Sequence, residues 1–236
     1  MYPKIRIKEL RPLYLEGGYL IDGFPSMGFS SVIATESIIH TSHLKLAGII
    51  DSDVFPSISL IKDGKPNFPT RIFVNDDLKI AAFLSHIALG ESLHRSVAKK
   101  MLAWAKDKKI LLTISSVSVK SAGGGEEIWA VGSTENATKK VKEAGLKVLE
   151  FGTIPGIPGM LLNEGSITNQ DVIVILFQSE GTGPDFKSGA QLCNAISKLI
   201  PGAVCDIPTL QAEAEKVEQI IKKDLDDTQH RDLMYR

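Results

Sequence analysis

Gly18-Tyr19-Leu20-Ile21-Asp22-Gly23-Phe24-Pro25-Ser26-Met27-Gly28-Phe29-Ser30-Ser31-Val32-Ile33-Ala34-Thr35-Glu36-Ser37-Ile38-Ile39 is the stretch that decides the fold. Tyr19 to Ile21 is a short apolar run bounded by glycines, which predicts a core strand of a covered sheet. Gly23 and Gly28 punctuate a tight loop, and the Ser30-Ser31 hydroxyls can cap a helix. From Val32 onward, Val32, Ile33, Ile38 and Ile39 give that helix one apolar face to lay on the sheet. A strand, a glycine loop and a helix start leave free backbone N–H groups, the makings of an anion site. A phosphate site is not spelled out, however. The loop has no third glycine in Gly-x-Gly-x-x-Gly register, no Lys-Ser/Thr follows, and Pro25 lacks a donor. The stretch therefore predicts tight strand-to-helix packing ahead of nucleotide binding.

The 236 residues suffice for a large core, and no shift in composition divides them. Lys and Arg number 27 against 28 Asp and Glu, so no basic excess marks a nucleic-acid surface. Cys193 and Cys205 are too few for a disulfide framework and too far apart for a Cys-x-x-Cys pair. No apolar run reaches signal-peptide or membrane-span length, so the expectation is a soluble, cytoplasmic protein with no membrane or nucleic-acid partner.

Outward from the opening strand, Leu46 to Ile50 is a second apolar run ending at Asp51-Ser52. Ile58 to Ile61, a turn at Lys62-Asp63-Gly64-Lys65, Arg71 to Val74 and Leu78 to Leu84 predict an antiparallel meander. Leu89 to Asp107 predicts a long helix burying Leu93, Val97, Met101, Leu102 and Trp104. Ile110 to Val117 and Ile128 to Val131 are strands separated by a mobile loop, Ser121 to Glu127. Thr134 and Gly145 bracket a further helix. Leu146 to Phe151 returns to the sheet, the Gly- and Pro-rich turn 152–159 leads into Met160-Leu161-Leu162, and Val172 to Phe177 is the last strong strand. Pro184 to Ile200 closes the series as a helix. The alternation implies an α/β fold, a three-layer α/β/α sandwich with a mostly parallel sheet and an antiparallel meander.

Beyond this core, assigned to residues 1–205, the segment 206–227 places Leu210, Ala214, Val217, Ile221 and Leu225 at helical steps. A C-terminal amphipathic helix with so narrow a stripe favours a helix–helix seam, hence a homo-oligomer. Residues 228–236 are polar enough to form a flexible tail.

Chemistry is sparse along the chain. His40 and His43 have no third ligand nearby, His86 and His94 are too far apart for a helical metal pair, and no metal or other cofactor is expected. Cys193 sits in a helical run, where a buried, inert thiol is the ordinary outcome. Glu126-Glu127 is a solvated acid pair, and no Gly-x-Ser-x-Gly elbow occurs. Gly181-Thr182-Gly183-Pro184-Asp185 lies just past a strand end, where open α/β sheets place ligands. Gly23, Pro25 and Gly28 together with Gly183 and Asp185 are thus the possible pocket. The last residues, Met234-Tyr235-Arg236, put an aromatic ring with a polar tip beside a carboxylate, which suits capture by a cationic pocket.

Taken together these residues resemble the proteasome assembly chaperone family, in particular archaeal homologues of its second eukaryotic member. The resemblance rests on Gly23-Phe24-Pro25-Ser26-Met27-Gly28, Ser52-Asp53-Val54-Phe55-Pro56 and Leu102-Ala103-Trp104-Ala105. It continues through Gly152-Thr153-Ile154-Pro155-Gly156-Ile157-Pro158-Gly159-Met160-Leu161-Leu162 and Pro184-Asp185, in order over about residues 15–200. It implies a phosphorylase-like fold without catalytic machinery. It further implies that a hydrophobic–Tyr–any tripeptide, here Met234-Tyr235-Arg236, docks between proteasome α-subunits with a lysine receiving the carboxylate. The alternative is a small-molecule enzyme, nucleoside phosphorylase- or hydrolase-like or an ATP-dependent ligase, working in the pocket near Gly23–Gly28 and Gly181–Asp185.

Overall fold

In the computed structural model of the chain, residues 4–62, 64–120, 127–179 and 183–206 are described, with positions 208, 209 and 212 beyond them. Among the described residues, nine strands form one sheet. In chain order they begin with β1 (Arg6–Glu9), β2 (Tyr19–Gly23) and β3 (Lys45–Asp51). A separate two-stranded ribbon follows, β4 (Leu60–Lys62) with β5 (Lys65–Asn67), before the sheet resumes with β6 (Thr70–Asn75) and β7 (Ile80–Ser85). The remaining sheet strands are β8 (Leu112–Lys120), β9 (Trp129–Gly132), β10 (Lys147–Val148) and β11 (Val172–Ser179). The helices are α1 (Ser30–Thr41), α2 (Glu91–Asp107), α3 (Glu135–Glu143), α4 (Gly156–Thr168) and α5 (Phe186–Leu199).

The strand order is β1-β3-β6-β7-β2-β8-β11-β9-β10. β2 lies at its centre, parallel to β7 through Tyr19↔Ile80 and to β8 through Tyr19↔Leu112. β8 continues parallel into β11, whereas β1–β3, β3–β6, β6–β7 and β9–β11 are antiparallel. The sheet is therefore mixed. The meander that the sequence suggested as an attachment is an integral half of it, and the hairpin drawn from Ile58–Ile61 to Arg71–Val74 is instead the outlying β4–β5 ribbon.

Alternation along the central strands divides the core between two faces. Leu20, Ala81, Phe83, Val172 and Val174 pack with Leu93, Val97, Met101 and Trp104 of α2 and with Leu161 of α4. Ile21, Ile80, Ala82, Ile114, Ile173, Ile175 and Phe177 pack with α1, α3 and α5 through Ala34, Ile38, Ala137, Val141, Leu192 and Ile196. Strands buried on both faces read as continuous apolar runs, which is the pattern of β2, β7 and β11. The result is the three-layer sandwich. Among the described residues no helix is long and apolar enough to cross a membrane.

Local signals explain some of the helix ends. Thr134 Oγ1 accepts from the Ala137 N–H at 3.0 Å to start α3, and Gly145, with φ 69°, ends it. Helix α4 departs from expectation, since residues 152–159 read as a turn. Pro158 sits in the first turn of α4, where its missing N–H costs no helical bond. Cys193 is not a thiol. It forms a disulfide with Cys205, tying α5 to the segment that follows it. Residues 121–126, expected as a mobile loop, and most of the amphipathic segment after 206 lie outside the described residues.

Candidate functional site

At the C-terminal end of β2 the chain leaves the sheet through Phe24 to Phe29. Gly28 (φ 68°) and Phe29 (φ 52°) both take left-handed backbone there, turning the chain into α1. This double turn moves the capping oxygen upstream. Ser26 Oγ, rather than Ser30 or Ser31, accepts the free Ser31 N–H at 3.1 Å, and Ser31 Oγ joins Ser26 Oγ and Ser116 Oγ of β8 at 2.7 Å each. The expected caps are thus the first two residues of α1; the Ser31 hydroxyl binds the loop to the sheet, and Ser30 Oγ donates to the Asp185 carbonyl at 3.2 Å.

The anticipated pocket residues separate into two sets. Gly28, Gly183 and Asp185 are brought together, with the Asp185 N–H bonded to the Gly28 carbonyl at 2.8 Å. The space between them is filled. A Cβ on Gly28 would stand 2.6 Å from Ser179 Oγ and 3.0 Å from Asp185 Cβ. Asp185 caps α5, its Oδ1 accepting the Ser188 N–H at 2.9 Å and its Oδ2 accepting from Ser179 Oγ and Ser188 Oγ. Gly23 is buried where β2 meets α1, its Cα facing Thr35 and the Phe83 carbonyl too closely for any side chain. A Cβ on Gly183 would meet nothing within 4 Å, and of the five only Pro25 lines a larger open space; Gly181 and Thr182 lie outside the described residues.

That open space is a cleft of about 860 Å³ beyond the carboxyl end of β2 and beside Ser116–Ser118 of β8, close to where open α/β sheets collect ligands. Asp22, Ser116 and Ser118 form its floor, and Phe24, Leu89, Ile157 and Met160 give it apolar walls. The start of α2, with Glu91, His94 and Arg95, and the start of α4, with Pro155 and Gly156, form the rim. Asp22 is only 4% exposed. Its Oδ2 accepts from Ser115 Oγ at 2.6 Å and its Oδ1 from the Phe24 N–H at 3.1 Å. Burial raises its pKa to about 6, against both hydrogen bonds, which favour the anion. His94 Nε2 bonds the Leu89 carbonyl at 3.0 Å, and Arg95 reaches Glu164 of α4 at 3.2 Å. Sequence reasoning passed over Asp22. The available signal was an acid closing a strand that is otherwise apolar.

The other histidines do not converge. His86 Nε2 meets Glu36 Oε1 at 2.9 Å, and its Nδ1 lies 3.5 Å from Arg71. Among the described residues no group of three or more His, Cys, Asp or Glu could hold a metal ion. Met234, Tyr235 and Arg236 lie outside the described residues, as do Val217, Ile221 and Leu225 of the apolar stripe.

Known proteins share this architecture, with about a fifth to a quarter of the sequence identical. An uncharacterized protein of Methanocaldococcus jannaschii is 26% identical over 223 residues, covering 94% of this chain and 92% of that protein. The crystal structure of Pyrococcus furiosus PbaA, described as an archaeal homolog of proteasome-assembly chaperone, superposes with a TM-score of 0.81 at 26% identity, over 95% of this chain and 93% of that one. Pyrococcus furiosus PbaB, described as an archaeal proteasome activator, shares the fold with a TM-score of 0.77 at 21% identity, over 94% of this chain and 99% of its own. Residues 20–225 match the PAC2 family, and with most of its length so covered the chain belongs to that family.

Proposed function

We propose that the protein is a cytoplasmic, non-enzymatic proteasome-binding factor, an assembly chaperone or activator-like protein acting on the proteasome α-subunits. The observation that carries this reading is the likeness to PbaA, which extends over nearly the whole of both chains in sequence as well as fold. Family membership across residues 20–225 supports it. The contact is assigned to Met234, Tyr235 and Arg236, which carry the hydrophobic–Tyr–any pattern. Tyr235 is the aromatic anchor, Met234 adds apolar contact, and Arg236 brings the polar end. One such short segment binds weakly because ordering it opposes association, so several copies acting together in a homo-oligomer supply the useful affinity.

Co-purification with proteasome α-subunits tests the reading. Tyr235→Ala and deletion of residues 234–236 are each expected to abolish it while leaving thermal stability and sedimentation unchanged. Wild-type recovery by both variants would remove the assigned contact, and failure of the wild type to recover α-subunits would remove the function.

A further inference from the structure

Two carboxylates are buried among the described residues, Asp22 and Glu164, at 4% and 8% exposure. Their surroundings differ in one respect. Glu164 is met by two cations, Arg95 at 3.2 Å and Lys99 at 3.5 Å. Among the described residues Asp22 has only the neutral donors Ser115 Oγ and the Phe24 N–H, each on a different oxygen, and no ion pair. A buried carboxylate without a cation is a costly arrangement, and each of its oxygens keeps a second lone pair free. Glu164 is satisfied within the chain, whereas Asp22 forms the floor of an open cleft of about 860 Å³.

We propose that this cleft binds a small organic ammonium, whose N–H groups bond the Asp22 carboxylate while its apolar body lies against Phe24, Leu89, Ile157 and Met160. The missing charge is supplied from outside. The volume is that of a site for a compact organic molecule, and the walls are more apolar than polar. An anion is disfavoured on the floor by Asp22 itself. The two helix starts at the rim do not reverse this: Glu91 already places a carboxylate in the first turn of α2, and Pro158 removes one donor from that of α4. Arg95, which lines the rim, is engaged by Glu164. The site is separate from residues 234–236 and stands or falls independently of the proteasome reading.

Isothermal titration of the full chain with phenethylamine and tryptamine, beside the matched phenethyl alcohol and phenylacetate, tests the proposal. Both amines are expected to bind, and the alcohol and acid to bind at least about tenfold more weakly, as loss of one charge-assisted bond implies. Asp22→Asn retains the acceptor for the Phe24 N–H and is expected to weaken the amines by about tenfold or more. Met160→Phe, which narrows the cleft without touching the carboxylate, is expected to weaken them as well. Deletion of residues 234–236 is expected to leave binding unchanged. No saturable amine binding at millimolar concentration would overturn the proposal. So would equal affinity in a folded Asp22→Asn protein, or phenylacetate binding more tightly than the amines.

Discussion

Gly28→Ala probes the turn on which the first helix depends. The residue sits at φ 68° and ψ 12°, a conformation that costs an L-residue about 1–2 kcal/mol. The new methyl would stand 2.6 Å from Ser179 Oγ, 3.0 Å from Asp185 Cβ and 3.3 Å from the Gly183 carbonyl. Ser179 cannot swing away freely, because its hydroxyl is bonded to Asp185 Oδ2 at 2.8 Å in the cap of α5. Relief therefore requires either loss of that bond or movement of the Asp185 backbone, which is itself bonded to the Gly28 carbonyl. Overpacking of this kind costs about 1–3 kcal/mol, so strain and crowding together predict a loss of about 2–5 kcal/mol. Urea unfolding at equilibrium measures it as a lowered midpoint with an unchanged slope. Gly64→Ala is the control. It has a similar φ of 72° and nothing within 4 Å of the new methyl, so it should lose only the strain, about 1 kcal/mol. Equal losses in the two variants would refute the claim that the loop is a packed junction between α1 and α5.

Asp22→Asn is expected to change how stability depends on pH. The folded chain holds the Asp22 proton to about pH 6, against 3.8 for an ordinary aspartate, so it binds more protons than the unfolded chain between those values. The contribution is fully present below the unfolded value and is lost as pH rises through about 6, by about 2–3 kcal/mol in all. The variant should consequently gain on the wild type between pH 4 and pH 7 in chemical unfolding, and a difference independent of pH would show that the carboxylate is not desolvated. Cys205→Ser opens the disulfide to Cys193 across a separation of 12 residues and should cost about 2–3 kcal/mol. Dithiothreitol should lower the wild type to the level of the variant and leave the variant unmoved; a wild type indifferent to reduction would contradict the pairing.

The division of labour between chain and fold follows the range of the forces involved. Runs such as Tyr19–Ile21 and Val172–Phe177 announce themselves because a strand covered on both faces must be apolar at every position. Thr134 and Gly145 bound α3 by rules that act over three or four residues, and Asp185 opens α5 likewise. The family was legible for the same reason, from short ordered stretches. Helix α4 was hidden because Gly156 and Gly159 oppose a helix and Pro158 reads as a turn residue until its place in the first turn is known. Packing against α2 and β11 outweighs those preferences, as burial of a helix face generally outweighs propensity. The same holds for the meander, since nothing local says whether Thr70–Asn75 pairs with Leu60–Lys62 or with Lys45–Asp51 and Ile80–Ser85.

The site shows the sharper limit. Strand, loop and helix around Gly23–Gly28 could be read from the sequence, as could the nearness of a strand end to Gly183–Asp185. Whether two such loops leave a hole or fill one another is decided by tenths of an ångström between residues some 150 positions apart, such as Ser30 and Asp185. The tertiary structure fills that junction and opens the cleft beside it instead. There it buries Asp22 next to Ser115, 93 residues away, and among the described residues gives it no cation such as Glu164 receives from Arg95, 69 residues distant. Burial and charge compensation are properties of three-dimensional neighbours, and only the folded chain determines who those neighbours are.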